Sequence, residues 1–112
     1  MKKYIVIYHA PAEAMAKFAD VTPEEREEGM KPWFEWKERL GDKLVDFGTP
    51  LMGGTKISPD GGSQMSTKDV TGYSIIQAND MEEAKSLMEG HPHLAWDGGC
   101  DIEVHESMDP GM

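Results

Sequence analysis

The chain has 112 residues, 38% hydrophobic and 29% charged, with 21 acidic side chains against 11 Lys and Arg and a formal net charge of −10. A surface of that sign is repelled by phosphate backbones and anionic lipid headgroups, so neither nucleic acid nor a membrane surface is an expected partner. Cys100 is the single cysteine and no internal disulfide is possible; a domain of this size buries roughly two-thirds of its unfolded surface, enough for a core without a disulfide or structural metal.

In chain order, Lys3–Tyr8 reads as a strand, β-branched and aromatic throughout and apolar on both alternating faces, which suits a central strand. Lys2-Lys3 is followed by only five apolar or aromatic residues before His9, too few for a secretory signal, and no apolar run approaches the roughly 20 residues of a membrane span. A cytoplasmic protein is expected. Ala12–Phe18 is a short alanine-rich helical piece after Ala10-Pro11. Thr22-Pro23-Glu24-Glu25 is a strong helix start: Thr22 can cap, Pro23 suits the first helical position and Glu25 completes a capping box. Pro32 is expected to break or kink this helix, with Gly29-Met30-Lys31 as the joint. The second segment then carries Trp33, Trp36, Leu40, Leu44 and Phe47 as an apolar stripe up to a stop at Gly48.

Gly53–Ser58 is read as a short strand, Pro59-Asp60-Gly61-Gly62 as a turn, and the polar run to Asp69 as a mobile connection or the return arm of a hairpin. Val70–Ala78 is the next strand, with Tyr73, Ile75 and Ile76 covering both faces. Asp80-Met81-Glu82-Glu83 starts a second helix, whose stripe of Met81, Ala84, Leu87 and Met88 stops at Gly90. Cys100–His105 alternates, with Cys100, Ile102 and Val104 on one face and Asp101, Glu103 and His105 on the other. The nine methionines are expected to fill gaps in the core or an interface.

The order strand, helix, strand, strand, helix, strand is the split βαβ pattern of a ferredoxin-like α+β sandwich with an antiparallel sheet, over one domain, residues 1–112. In that fold the first and third strands are central, and here those two are apolar on both faces while the fourth alternates. Two helices cover only one face of such a sheet. A second copy of the chain is the expected cover for the other, giving a homodimer packed sheet against sheet.

Four stretches carry a family resemblance: Lys3-Tyr4-Ile5-Val6-Ile7-Tyr8-His9; Trp33-Phe34-Glu35-Trp36 leading to Gly48-Thr49-Pro50-Leu51; Gly72-Tyr73-Ser74-Ile75-Ile76-Gln77-Ala78 with Glu82-Glu83-Ala84; and Gly90-His91-Pro92-His93-Leu94 leading to Ile102-Glu103-Val104. In this order and spacing they resemble the YCII-related (DGPF) family of dimeric α+β barrel proteins, and cover nearly the whole chain. The resemblance implies the ferredoxin-like fold, dimerisation, and a cleft between sheet and helices. Most members of that family have no established activity. A few related proteins carry out acid–base eliminations on chlorinated aromatic breakdown products, and a His–Asp pair has been proposed for the pocket. This chain departs from the pattern at Pro92-His93, where some relatives have Cys-Pro.

The densest group of titratable and aromatic residues is Gly90–Gly99, with His91, His93, Trp96 and Asp97. Pro92 biases His91 away from helix, so both imidazoles are expected on an extended link. Imidazole gives and takes protons near neutrality, which makes His93 and His91 candidate general acids or bases, with Asp97 orienting one ring. The competing reading is that His93 donates to a backbone carbonyl while His91 is solvated. His9, at the end of the first strand where such clefts open, is a further candidate. Trp33, Trp36 and Trp96 are candidate walls for a flat apolar or aromatic ligand, although helical spacing makes Trp33 and Trp36 equally plain core residues. Two histidines flanking one residue supply two metal ligands where catalytic zinc takes three, so no metal is expected. Gly53-Gly54-Thr55-Lys56 lacks the spacing of a phosphate-binding loop and Asp46-Phe47-Gly48 lacks the other kinase elements, so no cofactor is expected. The resulting expectation is a small-molecule lyase or isomerase using histidine acid–base chemistry. The alternative is a non-catalytic ligand-binding or accessory dimer.

Overall fold

The computed structural model describes residues 1–96 and 98–108, with only the backbone of residues 15 and 17–19. Its elements are β1 (Lys2–His9), α1 (Ala12–Ala19), α2 (Pro23–Leu40), β2 (Leu44–Asp46), β3 (Thr55–Ile57), β4 (Ser63–Met65), β5 (Val70–Ala78), α3 (Met81–Leu87), α4 (Pro92–Trp96) and β6 (Asp101–Glu106). The four-stranded sheet has the order β2-β5-β1-β6, antiparallel at every junction. Counting only its members, that is the ferredoxin-like order, with the second and fourth strands at the edges and a separate β3–β4 hairpin inserted before the third.

Period-2 alternation sorts the side chains. Tyr4, Val6 and Tyr8 of β1 and Ser74, Ile76 and Ala78 of β5 point to the helices, where they meet Trp36 and Leu40 of α2 and Ala84 of α3 in one core. The opposite face carries Ile5, Ile7 and His9, paired across strands with Ile75, Tyr73 and Asp101, all outside the core. Ile75 and Ile76, adjacent in sequence, therefore face opposite layers. The radius of gyration is 15.5 Å, against about 13 Å for a fully compact chain of this length. The N-terminal half of α2 and the β3–β4 hairpin account for the excess, since every residue of Glu24–Pro32 and of both hairpin strands is exposed. Among the described residues no helix is long and apolar enough to cross a membrane.

Three local expectations are corrected. Pro32 does not divide the helix: α2 runs unbroken from Pro23 to Leu40 behind its Thr22–Glu25 capping box. Proline costs the Glu28 carbonyl its partner, but this stretch of α2 is exposed, so water can satisfy the freed group. The helix stops at Gly41, whose φ of +58° ends it seven residues before Gly48; Leu44 and Phe47 then lie beyond it. The second strand of the sheet is Leu44–Asp46, paired with Ile76 and Ile75, whereas Thr55–Ile57 belongs to the outlying hairpin.

Candidate functional site

A cleft of about 810 Å³ opens between α2, the loop after β2, the start of β5 and α4. Trp33 and Trp36 form its helical wall, Phe47 and Gly48 its loop wall, and His93 and Trp96 the α4 wall; the Tyr8 ring closes the base. Gly48 is required by the loop: its φ is +79°, and a Cβ there would lie 1.8 Å from the Tyr73 carbonyl oxygen. Asp46 Oδ1 accepts the Gly48 N–H at 2.8 Å and holds the turn. Trp36 is anchored by its indole N–H, which donates to the Leu87 carbonyl at 3.0 Å. Trp33 stands edge-on to Tyr8 and His91, with ring centroids 5.2 and 4.6 Å apart. Trp36 thus serves core and wall at once, while Trp96 is 41% exposed at the rim.

The expected extended link at His91-Pro92-His93 is instead the start of α4. Pro92 takes the first helical position, where its missing N–H costs nothing. His91 precedes it as the cap: its Nδ1 accepts the His93 backbone N–H at 3.0 Å, and its carbonyl accepts the Leu94 N–H at 3.1 Å. His91 is 1% exposed and His93 3% exposed.

The proton positions around His91 follow from its partners. Because Nδ1 accepts, the neutral ring carries its proton on Nε2. Nε2–H then donates to Tyr8 Oη, 3.1 Å away. Ser74 Oγ donates to the Phe47 carbonyl at 2.7 Å, which can only accept. The 2.7 Å bond between Tyr8 and Ser74 must therefore run from Tyr8 Oη–H to Ser74 Oγ. The result is a one-way chain, His91 to Tyr8 to Ser74 to Phe47, linking α4, β1, β5 and the loop wall. Burial, and then electrostatic opposition from His93 and the Arg39 guanidinium, push the His91 pKa down to about 3. Burial pushes Tyr8 up to about 12 against the lowering influence of its Ser74 bond. Both side chains are neutral throughout the physiological range.

His93 differs. Its Nε2–H donates to the His9 backbone carbonyl at 2.8 Å, which leaves Nδ1 as the nitrogen with a lone pair. The ring sits against Tyr8 and Trp96, with centroids 5.2 and 6.2 Å away. A fixed tautomer inside an aromatic cleft can accept a proton from a bound acid and return it.

The structure does not bring the His9 ring into this group. His9 contributes its carbonyl to the cleft side, while its side chain projects from the other sheet face. There Nδ1–H donates to the Lys68 carbonyl and Nε2–H to Glu103 Oε1, both at 3.0 Å. A ring donating from both nitrogens is an imidazolium. Burial works against that charge, but the Glu103 and Lys68 bonds and the charges of Glu103 and Asp101 outweigh it and raise the His9 pKa. Glu103, which also accepts from His105 at 3.4 Å, is held below the usual carboxylate range by its bonds to the two histidines. His9 and Glu103 border a separate depression of about 240 Å³ with Lys68, Asp69 and Asp101. Asp97 lies outside the described residues. Among the described residues, no group of three or more His, Cys, Asp or Glu side chains is placed to hold a metal ion.

Tyr8 and Ser74 are absent from the sequence-derived candidates. The signal for them is a phenol and a hydroxyl on the inner, core-facing register of the two central strands: a buried Tyr hydroxyl needs a partner, and Ser74 is the polar residue in the apolar run Tyr73–Ile76.

Among solved structures, the chain is similar to 5-chloro-2-hydroxyhydroquinone dehydrochlorinase from Burkholderia phenoliruptrix AC1100 in complex with 2,5-dihydroxybenzoquinone, at 16% sequence identity and a TM-score of 0.56, over 96% of this chain and 94% of that one. At that identity the likeness establishes the shared fold. No curated protein matches the sequence. The YCII-related domain model matches residues 1–107, and the chain belongs to that family.

Proposed function

We propose that the 810 Å³ cleft binds a small, flat, hydroxylated aromatic or quinonoid molecule and that His93 exchanges a proton with it, making the protein a lyase or isomerase. The observation that carries this reading is His93 itself: a buried imidazole whose Nε2–H is spent on the His9 carbonyl, whose Nδ1 keeps a lone pair, and whose ring stands among Tyr8, Trp33 and Trp96. The aromatic walls suit a planar ring, exclude water and strengthen any charge interaction inside. The dehydrochlorinase structure, with its bound 2,5-dihydroxybenzoquinone, supports the choice of ligand class. His91, with both nitrogens engaged inside the protein, supports the acid–base step rather than performing it. The His9 imidazolium, on the far face, takes no part through its ring.

The same chain is read as a homodimer joined through the open sheet face. Ile5, Ile7, Tyr73 and Ile75 lie together there, with no covering layer among the described residues, and a second copy buries them most economically.

The test is titration of the wild type and of His93→Ala with 2,5-dihydroxybenzoquinone and related dihydroxybenzenes, followed by absorbance and by NMR of labelled histidines. Weaker binding and loss of any turnover in the variant are expected. Unchanged binding and turnover would remove His93 from the mechanism. Binding without any chemical change in the ligand would favour a non-catalytic binding protein, a reading consistent with how much of the hydrogen-bonding capacity of the cleft is spent internally.

A further inference from the structure

Besides the Tyr8 ring's place at the base of the cleft, His91, Tyr8 and Ser74 form the most completely specified hydrogen-bond system beside it. We infer that these three are positioning residues: their one-way chain joins the α4 wall to the loop wall and sets the orientation in which His93 meets a ligand. The inference rests on the proposed role of His93.

His93 is held at two points, its backbone N–H by His91 Nδ1 and its ring Nε2–H by the His9 carbonyl. The first is secure only while His91 carries its single proton on Nε2, because a proton on Nδ1 would oppose the His93 N–H donor to donor. That tautomer is favoured in turn by an acceptor at Nε2, the Tyr8 oxygen, 3.1 Å away. Tyr8 Oη can serve as acceptor there because its own proton is delivered to Ser74 Oγ, whose proton is delivered to the Phe47 carbonyl. Each bond fixes the sense of the next, so the peptide carbonyl of the loop wall determines which nitrogen of His91 is bare and thereby where His93 sits. Tyr8 accordingly shows a ligand its ring and not its proton, which is spent on Ser74.

The experiment is long-range ¹H–¹⁵N NMR of the full chain, which reports the tautomer of each histidine, with 2,5-dihydroxybenzoquinone as the binding probe. The expected result in the wild type is a proton on Nε2 of His91 and none on Nδ1, unchanged through the range in which a free imidazole titrates. Two variants separate the two nitrogens. His91→Asn keeps an acceptor at the Nδ1 position and should leave the His93 signals nearly in place; His91→Gln keeps only a donor at the Nε2 position and should shift them. Tyr8→Phe and Ser74→Ala should also shift the His93 signals and weaken probe binding roughly tenfold, the worth of one lost hydrogen bond. A proton on Nδ1 of His91, or His93 signals unmoved by Tyr8→Phe and Ser74→Ala, would overturn the inference. The wild-type tautomer decides the matter even if a variant fails to fold. Failure of the probe to bind wild type would count against the proposed function, whereas the tautomer and the His93 shifts judge the positioning chain separately.

Discussion

Acid should destabilise this protein through His91 well before its carboxylates are protonated. The ring is 1% exposed and its folded pKa is pushed down to about 3 by burial first, with electrostatic opposition from His93 and Arg39 adding to it. Unfolded, the same imidazole titrates near 6.5. Between those values the unfolded chain binds a proton that the folded one refuses, so stability falls as pH falls. From about pH 7.5 to about pH 5 the loss from this one group is about 2 kcal/mol, equivalent to roughly 10 °C in Tm for a domain of this size. The other shifted groups do not imitate this. His9, with a raised pKa, contributes stability that is complete below the unfolded value and lost as pH rises through the folded one, which is the opposite slope. Glu83 and Glu103, with lowered pKa values, lose their contribution only as pH falls further, through their folded values. The assay is urea denaturation of wild type and His91→Asn across that range. The variant is less stable at neutral pH, having lost the bond to Tyr8, but the gap between the two proteins should narrow by about 2 kcal/mol at the acid end. A constant gap would mean that His91 titrates normally in the folded protein, and the buried neutral ring would be wrong.

Three further outcomes are expected. Gly48→Ala should destabilise by about 3 kcal/mol or more and disrupt the cleft wall, since the positive φ and the approach to the Tyr73 carbonyl are both intolerant of a Cβ; a Tm within a few degrees of wild type would show that the loop relaxes freely. Ile75→Lys and Ile76→Lys, one residue apart, should differ in kind: the first yields folded monomers by light scattering, while the second unfolds the chain because Ile76 is fully buried under the helices. Two folded dimers would refute both the face assignment and the proposed interface. Glu103→Gln should lower the His9 midpoint in an NMR titration, because the carboxylate supplies the hydrogen bond and the charge that outweigh burial there; an unmoved midpoint would refute the pairing.

Most of the element order was legible because its causes are local. Thr22-Pro23-Glu24-Glu25 starts a helix wherever it is placed, and the alternation of Tyr4, Val6 and Tyr8 against Ile5 and Ile7 needs only the pleat. The turn over Pro59–Gly62 is likewise written in residue types, and the structure has it joining β3 to β4. The second strand was not legible. Leu44–Asp46 is three residues long and reads as the tail of the tryptophan stripe, and it becomes a sheet strand only because β5 offers it the backbone of Ile75 and Ile76. Pro32 was misleading for a related reason: the cost of a proline inside a helix depends on whether the freed carbonyl can reach water, a property of its surroundings.

The candidate site divides along the same line. His91, His93 and the tryptophans stand out by composition, and sequence alone brings them to attention as a group with His9. The pleat then sets His9 apart: Tyr8 points to the helices, so the neighbouring His9 ring points away, where it pairs with Glu103. Which nitrogen of each histidine carries a proton was beyond any sequence reading, because it depends on partners up to 84 positions away. The sequence by itself determined the starts of α2 and α3, the alternating faces and the residue types available for chemistry, since these follow from torsions and neighbours within a few residues. Only the tertiary structure decided that His93 keeps a lone pair on Nδ1 while His91 spends both nitrogens, since a hydrogen bond's direction is set by the partner that can only accept or only donate, here the His9 carbonyl at His93 Nε2 and the His93 backbone N–H at His91 Nδ1.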